Sequence, residues 1–315
     1  MMAHTSVLVG FGRIRKVMSR LKISAISFLN TAPLMWDFEH GSAPMGKSAP
    51  SGRGPAMAAT SPAREPAREG ETAADFDISY TVPSACARSL AEGTADIGII
   101  PAAAYTTIPG LVIVPDIAIA ARNAVRSILL VSKKPLDEAK TVALDTSSMT
   151  SVALTKILFA KWLGGARAYQ PMAPNLDAML AACDVALLIG DTALQVNRDR
   201  YVAMDLAEEW HKQTGKSFVF AFWAIRSAAL EGHNRAAIAK VFRESRDHGL
   251  EPEHLEAIAQ EWAPRLGLTL DVVRTYFAHN IHYYLDPPSI EGLQLFYRLA
   301  AESGALPAAP ALEFL

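Results

Sequence analysis

The chain is poor in the features that would commit it to several broad classes. Among 315 residues it has two cysteines, Cys86 and Cys183. They lie far apart in alanine-rich, helix-like contexts. Two cysteines make no disulfide framework, so buried reduced thiols are expected. It also lacks a charge excess: 30 Lys and Arg face 32 Asp and Glu, a net charge of −2. With no basic surplus to neutralise phosphates, nucleic acid is not an expected partner. No apolar run reaches the roughly 18 residues of a membrane span, so no membrane partner is expected either. The opening segment has a short apolar run followed by its positive charge, the reverse of an export signal, which predicts a cytoplasmic protein. Gly10-Phe11-Gly12 follows that run but lacks the third glycine and the later acidic residue of a dinucleotide loop. Residues 1–20 therefore read as an N-terminal extension.

Half the residues are hydrophobic, enough for one large core or two medium ones. The stretch 41–74 is dense in Gly, Pro, Ala and Ser without apolar periodicity and reads as a flexible insertion. Elsewhere strands at 22–26, 77–80, 95–100, 127–132, 141–144 and 185–189 alternate with helices at 83–92, 150–162 and 176–182. From 218–224 onward the pattern turns helical, at 236–246, 253–263, 270–277 and 289–302. The order predicts an α/β protein with largely parallel sheets and ligands at the carboxyl ends of strands. A middle block flanked by pieces from both ends suits a two-lobed clamshell with two chain crossovers, near 116–125 and 217–222. Lobe I is then 21–119 and 220–315, and lobe II is 120–219.

"VALDTSSMTSVALTKILFAKWLG" places five hydroxyl residues between an apolar strand and an amphipathic helix. Capping accounts for one or two of them. Free amides, the helix dipole and extra hydroxyl donors together make a carboxylate site. Thr150 and Ser151 begin the helix and are the first candidates for contact, with Ser147 and Ser148 assisting. "TVPSACARSL" repeats the arrangement at Ser84, with Pro83 in the first turn; a plain cap explains it equally well. Asp191 in "LLIGDTAL" is either a helix cap or a cleft carboxylate for a substrate hydroxyl. His279 and His282 have helical metal spacing without a third ligand nearby, so no metal is expected.

"ISFLNTAPL", "VPSACARSLAEGTADIGIIPAAAY", "VPDIAIA", "VRSILLVSKKPLDEAKTVALDTSSMTSVALTKIL", "ALLIGDTAL" and "DLAEEWHKQTGKSFVFAFWA" occur in this order. Together, over about 22–300 without the insertion, they resemble the chorismate dehydratase family of menaquinone biosynthesis, the first step of the futalosine route. The resemblance implies a type II periplasmic-binding-protein-like fold used without cofactor or metal. It implies conversion of chorismate, a dicarboxylate, to 3-[(1-carboxyvinyl)oxy]benzoate and water. A sister family, the 1,4-dihydroxy-6-naphthoate synthases, usually carries a Cys-Pro-Asn-Asp-like first motif, and "SFLN" points to the dehydratase.

The family's catalytic Asn falls on Asn30, where turn chemistry before Pro33 would also select Asn. Its second catalytic position falls on Ser127, at the opening of a strand. Arg126 is a weaker candidate for countering substrate charge, because neighbouring strand side chains point opposite ways. "RNAV" at 122–125 departs from the family's usual Asp-Gly-Pro-Val type of turn. For the elimination, either the substrate's own side-chain carboxylate or a site carboxylate such as Asp191 takes the proton; the residues do not choose between them. A monomer or weak homodimer is expected. The same fold serves solute receptors and effector-binding domains, so a non-catalytic carboxylate-binding protein is the rival class.

Overall fold

A computed structural model describes residues 20–41 and 72–315. The N-terminal extension up to residue 19, with Gly10 and Gly12, and the insertion from 42 to 71 lie outside the described residues.

Among the described residues, ten strands form two five-stranded sheets. Sheet I has the order β2-β1-β3-β10-β4, from β1 (Leu21–Ile26), β2 (Phe76–Thr81), β3 (Ile97–Pro101), β4 (Leu111–Ala121) and β10 (Phe218–Arg226). Sheet II has the order β7-β6-β8-β5-β9, from β5 (Ile128–Ser132), β6 (Thr141–Asp145), β7 (Ala168–Met172), β8 (Val185–Ile189) and β9 (Val202–Asp205). Helices α1 (Trp36–His40), α2 (Pro83–Glu92), α3 (Thr150–Lys161), α4 (Leu176–Ala182), α5 (Gly190–Leu194) and α6 (Leu206–Thr214) intervene. Four more follow β10: α7 (Arg235–Gly249), α8 (Pro252–Leu266), α9 (Leu270–Thr275) and α10 (Pro287–Glu302).

The sheets are mixed, which corrects the expectation of largely parallel pairing. In each, two parallel steps (β2-β1-β3 and β7-β6-β8) are followed by two antiparallel ones (β3-β10-β4 and β8-β5-β9). The antiparallel partners β5 and β10 each follow a strand of the other sheet, β4 and β9, so no right-handed βαβ connection within one sheet fixes their direction.

The first crossover is also shorter than expected. Residues 116–121 belong to β4, and the chain passes between lobes only at 122–127. Asp116 interrupts β4 with a positive φ of 68° beside a register shift against β10, and the strand then resumes. That local break, within an otherwise apolar run, hid an eleven-residue strand. The short strands β7 and β9 were hidden too, because their residues are mostly half-exposed and show no alternation.

β3, β5 and β8 are buried along their whole length, as central strands covered on both faces are. One apolar cluster runs through lobe I and the cleft side of lobe II; a smaller one, including Leu129, Val131, Met179 and Leu188, fills the far side of sheet II. α7 seats on the turn that follows β1 through Gly249, where any Cβ would lie 1.9 Å from the carbonyl oxygen of Pro33. A side chain there would push away the turn that carries Asn30.

Candidate active site

Between the sheets lies a cleft of about 460 Å³, counted out to its mouth. It is built from carboxyl ends of strands in both lobes together with the amino-terminal part of the antiparallel β10. Lobe I contributes Phe28, Asn30 and Thr31 after β1, Pro83 at the start of α2, Pro101 at the end of β3, and Phe220 and Ala221 of β10. Lobe II contributes Ser148 to Ser151 at the start of α3, with Ile189 and Gly190 at the end of β8. The polar lining is neutral: Asn, Ser and Thr, without a Lys, Arg, His, Asp or Glu. A ligand here meets uncharged donors and acceptors over an apolar wall.

The hydroxyl-rich turn after β6 is only partly open to such a ligand. Ser147 donates to Asp145 Oδ1 through its amide (2.8 Å) and its hydroxyl (2.5 Å). Burial raises the pKa of Asp145, opposed by those bonds. Ser148 Oγ accepts from the Ser151 amide at 3.3 Å, as a cap does. Thr150 lines the cleft but is 2% exposed, and its hydroxyl is committed twice across the lobes. It donates to the Phe220 carbonyl (3.0 Å) and accepts from the Ala103 amide (3.1 Å). Ser151 lines the cleft without taking part in those ties.

Ser84 sits opposite this turn. Its amide donates to the Ser147 carbonyl at 3.1 Å, so the starts of α2 and α3 meet directly across the lobes.

Asn30 presents a different situation. Its Oδ1 is buried with no hydrogen-bond partner, and the residue lines the cleft. Buried polar atoms are overwhelmingly paired, so an orphan at a cleft wall marks a place for a ligand atom.

Ser127 is fully buried at the entry to β5 and does not line the cleft. Its Oγ accepts a 2.8 Å hydrogen bond from the hydroxyl of Tyr276. Tyr276 was missed in the sequence because an aromatic at a helical apolar position reads as core. It begins a π-helical turn, Tyr276–Asn280, that widens the end of α9; such turns often occur at functional sites.

Arg126 does not line the cleft either. Its backbone has a left-handed φ of 64°. Its amide donates to Asp205 Oδ2 at 2.5 Å and the Val125 amide donates to Oδ1 at 3.1 Å. Asp205 also caps α6 through the amides of Ala207 and Glu208. Asn280 Nδ2 donates to the Ala124 carbonyl at 3.0 Å. The unusual 122–125 turn is thus held by one carboxylate and one amide. Burial and neighbouring Arg198 lower the pKa of the Arg126 guanidinium.

Asp191 is neither a helix cap nor part of the cleft lining. The N-cap of α5 is Ile189. Asp191 Oδ1 instead accepts the Leu29 amide of the other lobe at 3.0 Å. Burial pushes its carboxyl up to about 6, partly offset by that bond. Beside it Gly190 (φ 59°) faces Phe28 across the lobes, and a Cβ would lie 2.8 Å from the ring. Both residues therefore keep the lobes closed over the cleft.

Cys86 and Cys183 are buried and unpaired; burial pushes the Cys86 thiol up to about 12, an inert state. His282 pairs with Asp286 at 2.9 Å, and among the described residues no group of three metal-ligating side chains converges. No helix among them is long and apolar enough to cross a membrane.

Solved structures share the architecture. Protein AF1704 from Archaeoglobus fulgidus superposes with a TM-score of 0.66 at 15% identity, covering 91% of this chain and 98% of its own. The alkanesulfonate-binding protein SsuA from Xanthomonas axonopodis pv. citri, bound to MOPS, gives 0.62 at 15% identity, covering 94% and 99%. At that identity they show the fold alone: a two-lobed periplasmic-binding-protein-like clamshell. In sequence, the chain is 31% identical over 257 residues to a chorismate dehydratase of Thermus thermophilus, covering 75% of this chain and 89% of that protein. A family model described as menaquinone biosynthesis matches residues 21–302. With nearly all of the two-lobed body inside that match, this chain belongs to the menaquinone biosynthesis family.

Proposed function

We propose that this chain is a chorismate dehydratase, a lyase that converts chorismate to 3-[(1-carboxyvinyl)oxy]benzoate and water for menaquinone synthesis in the cytoplasm. The observation that carries the reading is a neutral, largely apolar cleft with an unpartnered Asn30 oxygen, in a chain 31% identical to an enzyme of that name. In the proposed arrangement the expected lobe boundaries at 119/120 and 219/220 move to the ends of β4 and β10, so lobe I spans 21–121 and 218–315 and lobe II spans 122–217, the latter supplying Ser127 and the start of α3.

The reaction removes the ring hydrogen beside the enolpyruvyl ether. Its bonding pair becomes a ring double bond, and the neighbouring hydroxyl leaves with its own pair and gains a proton, as water. Aromatisation supplies the driving force. No titratable side chain lines the cleft, so the protein's part is to position the ring and the leaving group. Asn30 meets the leaving hydroxyl and Ser127 orients the same region. Ser151, Ser148 and the α3 amides receive a carboxylate, with Thr150, Ser147 and Ser84 shaping that turn. The proton acceptor is the substrate's own side-chain carboxylate, because Asp191 does not line the cleft and turns Oδ1 to the Leu29 amide instead.

Purified protein incubated with chorismate should yield a product lighter by one water, detected by mass and by its aromatic absorbance. Chorismate that binds tightly and stays unchanged would support a receptor instead. The rival 1,4-dihydroxy-6-naphthoate synthase chemistry predicts no product from chorismate at all.

A further inference from the structure

The Tyr276 hydroxyl sits where the two lobes meet. The residue is 1% exposed, packed from lobe I, and its one proton goes to Ser127 Oγ of lobe II at 2.8 Å. A phenol has a single donor, so Ser127 Oγ is an acceptor on that side and its own proton is directed elsewhere. Asn30, across the boundary in lobe I, keeps its Oδ1 unpartnered at the cleft wall. Ser127 of lobe II thus takes its orientation from a hydroxyl of lobe I.

We infer that Tyr276 is a positioning residue for the dehydration: its hydroxyl holds Ser127 across the lobe boundary and so fixes the segment behind the cleft wall that Asn30 faces. This rests on the reading of Asn30 as the group that meets chorismate and of Ser127 as one that orients the same region.

Three further observations support it. The π-helical turn at Tyr276–Asn280 adds a residue to the end of α9, and its last member, Asn280, ties the turn to the Ala124 carbonyl just before Ser127. One widened turn therefore grips the Ser127 segment at two points. Burial, with Asp191 and Asp205 nearby, drives the phenol pKa far above its usual value. The hydroxyl is consequently a permanent neutral donor and cannot serve as the base. Finally, a tyrosine needed only for packing would leave its hydroxyl to water or to a backbone carbonyl; here it meets a side chain of the other lobe.

The test is a double-mutant cycle on purified full-length protein with chorismate. Tyr276→Phe keeps the ring and removes one oxygen. It should lower kcat by about a hundredfold, the scale of a small misplacement of reacting groups, while KM changes little. Combined with Ser127→Ala, it should cost much less than the product of the two single effects. Wild-type kcat in Tyr276→Phe, or independent costs that multiply, would overturn the inference while leaving Asn30 and Ser127 in place. Wild-type turnover in Ser127→Ala would overturn it together with the site reading. If Tyr276→Phe does not fold, 3-fluorotyrosine at position 276 preserves packing and alters only the strength of the donor. A changed kcat then supports positioning, and an unchanged one contradicts it.

Discussion

The turn after β1 in lobe I and the turn after β6 in lobe II occupy matching places in sheets of matching order, and they handle polar groups in opposite ways. The β6 turn is crowded with hydroxyls, most of which are consumed inside the protein: Ser147 on Asp145, Ser148 on the Ser151 amide, Thr150 on Phe220 and Ala103. The β1 turn holds Thr31, whose hydroxyl is likewise bonded internally to the Ile26 carbonyl, and Asn30, whose oxygen has no partner. Asp145 Oδ2 in the β6 turn is also unpartnered but does not line the cleft, so it is an unsatisfied atom at the cleft wall that marks chemistry. The same contrast separates Arg126, whose backbone is pinned to Asp205, from Ser127 beside it, which faces the tyrosine.

The sharpest way to break the contrast is at its two centres. Asn30→Asp keeps the shape but replaces an amide with a carboxylate beside a dianionic substrate. Turnover should fall by about a hundred- to a thousandfold, the worth of one transition-state hydrogen bond, with a cooperative thermal transition retained. Thr150→Val should do the reverse. It strands the Phe220 carbonyl and the Ala103 amide in a buried place, costing about 2 kcal/mol of stability or more. Thermal unfolding of the two variants side by side separates the roles; equal melting temperatures would erase the distinction.

Asp191→Asn sharpens the comparison at the rim. Asparagine keeps an acceptor for the Leu29 amide and removes a buried charge. Because the folded pKa of Asp191 is raised from 3.8 to about 6, its contribution to stability is full below pH 3.8 and is lost as pH rises through about 6. The variant should therefore be more stable than wild type at pH 7.5, by about 1 kcal/mol after discounting for partial solvation. That gain should vanish near pH 4. A variant less stable at both pH values would show that the ionised carboxylate itself holds the lobes together.

The smallest effect is expected at Arg126. Arg126→Gly relieves a left-handed backbone worth about 1–3 kcal/mol and adds chain entropy that opposes the gain. Net stability should move by less than about 1 kcal/mol, with KM for chorismate unchanged. A large rise in KM would restore the guanidinium as a partner of substrate charge.

Much of the architecture was legible because it rests on local periodicity. The fully apolar runs of β3, β5 and β8 and the four C-terminal amphipathic helices were visible in the chain, and linked motifs carried the two-lobed fold. β4 was not, since its break at Asp116 imitates a turn. Strand direction was not either, because β5 and β10 take theirs from tertiary placement. Ser148, Thr150 and Ser151 are legible from their place between a strand and a helix and Asn30 from the family resemblance, yet their commitments are invisible. Whether the Thr150 hydroxyl faces a ligand or the Phe220 carbonyl depends on a partner 70 residues away. Tyr276 was unreadable for the same reason: only the fold brings it to Ser127, 149 residues distant.

The most direct test of the account is the turnover of chorismate by wild-type protein and by Asn30→Asp, at equal folded concentration and with product followed by mass. The account predicts steady formation of the dehydrated aromatic product by wild type and a loss of at least about a hundredfold in the variant. Unchanged chorismate with the wild type, or equal rates for the two proteins, would contradict it.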